Sequence, residues 1–140
     1  MRSELDPMFD ANRPRVLAIL RIMTGLLLLQ YGLIKFFNWP VPFPSPIEPF
    51  RLVFFAGLFE VFGSLAVILG WWTRAAAFLL SGTMAVAYLL GHAHRSFYPI
   101  ENGGTMVILF CFIFLYLVFA GPGAWSLDAR ARSRAESGAA

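Results

Sequence analysis

The chain has 140 residues, of which 59% are hydrophobic and 14% are charged, and its formal net charge is +3. Its mean hydropathy of +0.68 is too high for a soluble domain of this size, and its apolar residues form long runs typical of a membrane protein. The basic residues lie at the ends of those runs, which argues against a nucleic-acid-binding face. The single cysteine, Cys111, excludes an intramolecular disulfide and a CxxC redox pair.

The N-terminal part of the chain predicts an arm followed by a membrane helix. Residues 1–15 are polar and of mixed charge, so we expect a cytoplasmic arm there, and the first apolar helix is predicted over about 16–37. This helix contains Arg21, which either extends to the headgroups or turns inward, and Lys35 near the opposite interface. Residues 38–50 include five prolines and are predicted to be a non-helical connector.

The second helix, predicted over about 52–70, carries one acid, Glu60, near the middle of an almost wholly apolar stretch. Its length of roughly 28 Å matches the thickness of a hydrocarbon core. An ionised carboxylate there costs roughly 3 kcal/mol or more, so Glu60 should be paired, protonated or facing a polar cavity. The neighbouring residues on its face are small, which favours close approach of another helix. We therefore expect Glu60 to face the bundle interior and to bond to one of four groups: Arg21, Lys35, Ser81 or Tyr88.

Two more membrane helices are predicted over about 75–91 and 103–120, and a cytoplasmic tail over 121–140. The resulting fold class is an all-α integral membrane four-helix bundle, with residues 16–120 as its membrane domain. Four spans place both termini on one side. That side carries seven of the basic residues that flank the helices, namely Arg2, Arg13, Arg15, Arg74, Arg130, Arg132 and Arg134, against Lys35, Arg51 and Arg95 on the other. This bias predicts that both termini are cytoplasmic, as expected for a multi-pass protein of the inner membrane.

Polar residues near the other membrane face are the candidates for chemistry. His92 and His94 are the only histidines, and their spacing suits two metal ligands, but without a third ligand they are weak metal candidates and we predict no metal. Asn102, Gly103 and Gly104 begin the fourth helix, where backbone N–H groups could face an anion or a carbonyl, or where Asn102 is a plain N-cap. The intramembrane site candidates are Glu60, Arg21, Lys35, Tyr88, His92, Asn102, Gly103 and Gly104.

A buried acid with basic neighbours near one membrane face can carry protons, and quinone headgroups require a donor and an acceptor in that position. A purely structural bridge from Glu60 to Arg21 or Lys35 fits the same residues equally well. No cofactor motif is evident, and a quinone is the ligand that this chemistry allows.

Three segments of the sequence resemble the DoxX family of small four-helix membrane proteins. They are LRIMTGLLLLQYGLIKFF at 20–37, AGLFEVFGSLAVILGWWTRAAA at 56–77, and YPIENGG at 98–104 leading into a helix that ends in AGPGAWSLDA. The family name is tied to a terminal quinol oxidase and to a subunit of a thiosulfate:quinone oxidoreductase, and other members associate with redox-stress partners. The resemblance implies family-like roles for a set of positions: Arg21, Gly32, Lys35, Glu60, Gly63, Asn102, Gly103 and Gly104.

The chain departs from many relatives at two positions, with Tyr31 in place of a histidine and Thr105 in place of an acid. Both changes remove polar groups. We therefore expect a non-catalytic accessory subunit of a larger quinone-linked electron-transfer complex, embedded in lipid beside other membrane subunits. The alternatives are a quinone-binding redox subunit that uses Glu60, Lys35 or Arg21 to handle protons, and a small proton-coupled transporter.

Overall fold

The computed structural model describes residues 6–44, 48–49 and 51–138, and the described chain is helical. Its six helices are α1 (Asp6–Phe37), α2 (Leu52–Leu69), α3 (Thr73–Gly91), α4 (Pro99–Asn102), α5 (Thr105–Ala120) and α6 (Leu127–Gly138). The long helices α1, α2 and α3 are each long and apolar enough to cross a membrane, and α5 is a shorter apolar helix of 16 residues. The architecture is an all-helical membrane bundle, which confirms the predicted fold class.

The four main helices are α1, α2, α3 and α5. They pack in chain order, α1 along α2, α2 along α3 and α3 along α5, with a smaller contact between α1 and α5. The core between them is apolar, and it consists of Leu28, Val67, Ala77, Leu80, Met84, Phe110, Phe114 and Leu117. Many large apolar side chains are exposed on the outside of the bundle, such as Phe62, Phe78, Phe112 and Phe119. An apolar exterior of this kind suits a bilayer, because lipid does not penalise exposed hydrocarbon as water does.

A close approach between α1 and α2 depends on Gly32. A Cβ atom at this position would lie 2.6 Å from Cγ2 of Val61 and 3.0 Å from the backbone N of Val61. Only a residue without a side chain permits this separation, as is common where membrane helices meet. The contact fixes which part of α1 faces which part of α2.

The first helix begins at Asp6, well before the predicted start at about residue 16. Residues 6–15 of the predicted arm therefore continue α1, and residues 1–5 of it lie outside the described residues. The added turns carry contacts at helical spacing, including Asp10 with Arg13 at 3.2 Å and a bond from Asn12 Nδ2 to the carbonyl of Met8. The carbonyl of Pro14 also accepts a bond of 2.8 Å from the backbone N–H of Ala124, so the tail anchors this extension.

The other predicted helix limits differ from the structure by one or two residues. The fourth membrane helix is preceded by a single helical turn, α4, and the two are separated by Gly103 and Gly104. The proline-rich connector is not helical over residues 38–44, and residues 45–47 and 50 of it lie outside the described part of the chain. The predicted tail contains α6, and its last two residues, 139–140, lie outside the described part of the chain.

The bundle has two ends, the terminal end and the loop end. The terminal end contains the start of α3, the end of α5 and the tail. The loop end contains the end of α1, the start of α2 and the loop from α3 to α5. The order of the helices assigns each of these elements to its end, because consecutive membrane helices run antiparallel and therefore begin at alternate ends of the bundle.

Candidate functional site

The centre of the candidate site is an ion pair between α1 and α2. Nζ of Lys35 lies 2.6 Å from both Oε1 and Oε2 of Glu60. The Glu60 residue is only 4% exposed, and the side chain of Lys35 is 14% exposed. Of the four partners expected for Glu60, the structure therefore selects Lys35. Charge-assisted bonds of this length are strong, and both carboxylate oxygens are used.

Small residues make room for this pair. Lys35 lies in the last turn of α1, and Glu60 lies in the middle of α2. A Cβ atom on Gly57 would lie 3.2 Å from Cδ of Lys35, so the absence of a side chain there leaves the path along which the lysine reaches Glu60. The predicted small-residue face of α2 thus contributes directly to the geometry of the charged pair.

Lys35 also lines a groove of about 650 Å³ that runs between α2 and α3, here called the α2–α3 groove. Its lining consists of Lys35, Leu52, Val53, Phe55, Ala56, Phe59, Phe78, Leu79, Gly82, Thr83, Val86, Ala87, Leu90, Gly91 and His92. Nearly all of these residues are apolar. The polar exceptions are Lys35, Thr83 and His92, and two of these three lie at the loop end. The groove follows α3 for about 20 Å from Phe78 to His92 at 1.5 Å per residue.

The second polar cluster lies at the loop end and contains five of the predicted site residues, namely Tyr88, His92, Asn102, Gly103 and Gly104. Asn102 is 2% exposed, and its Nδ2 donates to the carbonyl of Ser96 at 2.9 Å and to the hydroxyl of Tyr88 at 3.4 Å. Its Oδ1 accepts a bond of 2.8 Å from the backbone N–H of Gly104. Nδ1 of His92 lies 2.9 Å from the carbonyl oxygen of Asn102. The cluster therefore ties the end of α3 to the start of α5.

Glycine is required at one position of this cluster. A Cβ atom on Gly104 would lie 2.6 Å from the ring of Tyr88, so the ring packs against bare backbone. Tyr88 in turn stacks on His92, with ring centroids 6.5 Å apart and an interplanar angle of 12°. Gly103 has a positive φ of 74° and ends α4 in the left-handed conformation that glycine favours. The Asn-Gly-Gly sequence thus holds the His92 ring in place.

His94 does not belong to a cluster of three or more metal-binding side chains among the described residues. Within residues 6–44, 48–49 and 51–138, no three side chains of histidine, cysteine, aspartate or glutamate are grouped as a metal would require. The nearby acid Glu101 instead accepts a bond of 2.6 Å from the hydroxyl of Ser96. His92 is engaged with Asn102, as described above.

Arg21 is not part of this site, contrary to one of the pairings expected for Glu60. It is completely buried at the terminal end, where its Nη2 donates to the carbonyl of Trp125 at 3.0 Å. Its burial also excludes the alternative in which Arg21 extends to the headgroups. Its Nε and Nη1 have no hydrogen-bond partner among the described residues. The tail folds back over it, since a Cβ on Gly70 would clash with both Arg21 and Ser126.

The terminal end is closed by a residue that the sequence alone did not single out, Asp128. Its carboxylate accepts bonds from the backbone N–H groups of Trp72 and Thr73, both at 2.9 Å, and from Oγ1 of Thr73 at 2.8 Å. Burial by itself would raise the pKa of Asp128, but the bonds from Thr73 and Trp72 and the charge of Arg132 outweigh it and hold the pKa below its ordinary value. Asp128 thus caps α3 from a distant part of the chain.

A second contact at this end uses Arg74, whose Nη1 donates to the carbonyls of Val118 at 2.6 Å and Phe119 at 3.0 Å. These carbonyls belong to the last turn of α5, where such groups lack partners within the helix. The Gly-Trp-Trp-Thr-Arg turn thus contacts Asp128 of the Ala-Trp-Ser-Leu-Asp segment as well as the end of α5. An acid that can cap the start of a helix and an arginine that can cap the end of one are the sequence signals that could have indicated these contacts.

The fold and the site together define a small helical membrane protein with an intramembrane ion pair beside an apolar groove. The DoxX family model matches residues 16–93, which is more than half of the chain. A protein of Haemophilus influenzae, described as an uncharacterized protein, is 42% identical over 85% of this chain and 92% of its own length. The inner membrane protein YphA of Escherichia coli is 29% identical over 87% of this chain and 94% of its own length.

The membrane protein Rv3486 of Mycobacterium tuberculosis, also described as uncharacterized, is 27% identical over 91% of this chain and 88% of its own. No solved structure matches the chain. The chain belongs to the DoxX family, as the sequence resemblance predicted, and it is an integral membrane protein.

Proposed function

We propose that this protein binds a membrane quinone in the α2–α3 groove, as an accessory subunit of a larger electron-transfer complex in the inner membrane. The observation that carries the proposal is the shape and polarity of the groove. A quinone has a flat polar headgroup and an apolar isoprenoid tail. The groove has an apolar body and polar groups at its loop end, Lys35 and His92. Its volume of about 650 Å³ lies within the usual range for small-molecule sites.

The ion pair suits the headgroup in a second way. An ammonium has three N–H donors, and the two contacts with Glu60 leave Lys35 one of them for a ligand carbonyl. Glu60 compensates the positive charge, so the site does not require an anionic ligand. These properties favour a neutral carbonyl-bearing headgroup.

The experiment is a binding titration on the protein in nanodiscs of synthetic phospholipid, with a quinone that carries one isoprenoid unit. A Gly82→Phe variant places a ring in the groove, where a Cβ would meet no atom within 4 Å. Leu89→Phe is the matched control, because Leu89 is 64% exposed on the same helix and does not line the groove. We expect saturable binding that Gly82→Phe weakens at least tenfold and Leu89→Phe leaves unchanged. Absence of saturable binding, or equal affinity of the two variants, would overturn the proposal.

The accessory role predicts a neighbouring subunit. The connector at the loop end presents exposed apolar side chains, among them Trp39 and Val41. A photocrosslinker at Trp39 should join the chain to another subunit of an electron-transfer complex in native membranes. Crosslinks to itself alone, or none, would remove the accessory role and leave the ligand-binding role to be judged by the titration.

A further inference from the structure

The inference concerns the chemical form of the ligand that the groove prefers, and it rests on the proposed function. Its starting point is the hydrogen bond between Nδ1 of His92 and the carbonyl oxygen of Asn102, at 2.9 Å. A carbonyl oxygen only accepts hydrogen bonds, so Nδ1 must carry the hydrogen. In the neutral imidazole, Nε2 is then unprotonated and is a hydrogen-bond acceptor.

The surroundings hold the ring in this arrangement. Tyr88 stacks on one face of it at a centroid distance of 6.5 Å. Asn102, whose carbonyl accepts the bond, is itself fixed by Ser96 and by the backbone of Gly104. Because His92 also lines the α2–α3 groove and its Nδ1 is engaged, Nε2 is the ring atom left for a ligand in the groove.

The groove therefore offers two polar groups of opposite kind near its loop end. Lys35 is a donor, whereas Nε2 of His92 is an acceptor when the ring carries its hydrogen on Nδ1 alone. An oxidised quinone headgroup has only carbonyl acceptors, and it can use Lys35 alone. A reduced headgroup has hydroxyl groups that both donate and accept, and it can use both residues.

We infer that His92 makes this groove selective for the reduced, dihydroxy form of its ligand over the oxidised, dicarbonyl form. A hydrogen bond made by one form and not by the other changes affinity by roughly tenfold, more if the acceptor is left unpaired. The site would then retain quinol and release quinone, which suits a subunit that presents reduced quinone to a neighbouring oxidising centre.

The test compares the Kd of the quinol and of the quinone with the one-isoprenoid probe in nanodiscs. Measurements are made at about pH 8, above the range in which histidine changes charge. Wild type should bind the quinol roughly tenfold more tightly. His92→Phe keeps the aromatic ring and lacks the acceptor, so it should lose this preference while its Kd for the quinone changes by less than about twofold.

Two further variants keep the result interpretable. His92→Asn retains an N–H donor close to the Nδ1 position but has no atom in place of Nε2, so it should also lose the preference even if His92→Phe does not fold. His94→Phe makes the same substitution at an exposed histidine that does not line the groove, and it should keep the preference. Near-equal affinity of wild type for the two forms, or a preference that survives in His92→Asn, would overturn the inference while the proposed quinone site stands. If wild type binds neither form, the proposed function itself fails.

Discussion

Glu60 and Lys35 are joined by two contacts of 2.6 Å, one to each carboxylate oxygen, within a bundle whose central core cluster is apolar. The charge on each residue is therefore compensated by the other. Removal of one member of such a pair leaves a buried charge without compensation, and this is costly in a medium with low polarity.

Neutralising Glu60 should consequently destabilise the protein. We expect Glu60→Gln to cost about 3–5 kcal/mol, nearly as much as Glu60→Leu, because both variants leave Lys35 without an anion. The double variant Glu60→Leu with Lys35→Met should recover most of the loss. Thermal unfolding in detergent measures these differences, and Glu101→Gln at an exposed position is the control. A Glu60→Gln variant as stable as wild type would show that the pair does not stabilise the fold.

Gly32 should be sensitive to the smallest enlargement. An added Cβ would lie 2.6 Å from Cγ2 of Val61, so Gly32→Ala must separate α1 from α2, at a cost of about 1–3 kcal/mol. Gly82→Ala is the matched control, because its Cβ would meet no atom within 4 Å and alanine favours a helix over glycine. The unfolding temperatures of the two variants should therefore move in opposite directions or differ clearly. Equal stability would mean that the helices are not in close contact at Gly32.

Asp128 should make stability depend on pH in acid. The pKa of its carboxyl is lower in the folded protein than its ordinary value of 3.8. The contribution of Asp128 to the free energy of unfolding is therefore complete at pH values well above its ordinary pKa, including neutral pH. This contribution is lost as the pH falls through the folded pKa. Asp128→Asn should cost about 1 kcal/mol at neutral pH, as loss of a helix cap does, and should flatten the acid part of the stability profile.

Detergent-solubilised wild type and Asp128→Asn are compared by unfolding between about pH 2 and 7. Asp10→Asn is the control, because Asp10 is exposed and its pairing with Arg13 spans a single helical turn. If Asp128→Asn retains the full acid sensitivity of wild type, then other carboxylates are responsible for it.

The orientation of the chain can be measured directly. We expect both termini to face the cytoplasm, because a four-span topology assigns seven of the flanking basic residues in the sequence to that side and three to the other. In a Cys111→Ala background, Val41→Cys should react with a membrane-impermeant maleimide added to spheroplasts, whereas Ser137→Cys should react only after lysis. The reverse pattern would show that both termini lie outside. Reaction of both residues in intact spheroplasts would exclude any topology that places these two positions on opposite sides of the membrane.

Much of the fold follows from local properties of the sequence. Long apolar runs must be helices in a bilayer, because every backbone polar group needs a partner within its own segment. The prolines after residue 38 and the Gly-Pro-Gly at 121–123 end helices for equally local reasons. That Glu60 would face protein also followed from the sequence, since the cost of a lone carboxylate in lipid does not depend on the details of packing.

The partner of Glu60, the α2–α3 groove and the cap by Asp128 were decided only by tertiary structure. Arg21 and Lys35 occupy the same helix about 21 Å apart, and either could have matched the acid. The choice depends on the register of α1 against α2, which is set by contacts such as Gly32 with Val61. The groove depends on the separation of two helices, and the cap requires Asp128 to meet Thr73 across more than fifty residues of chain. Such relationships arise from the relative placement of helices, which no single helix encodes.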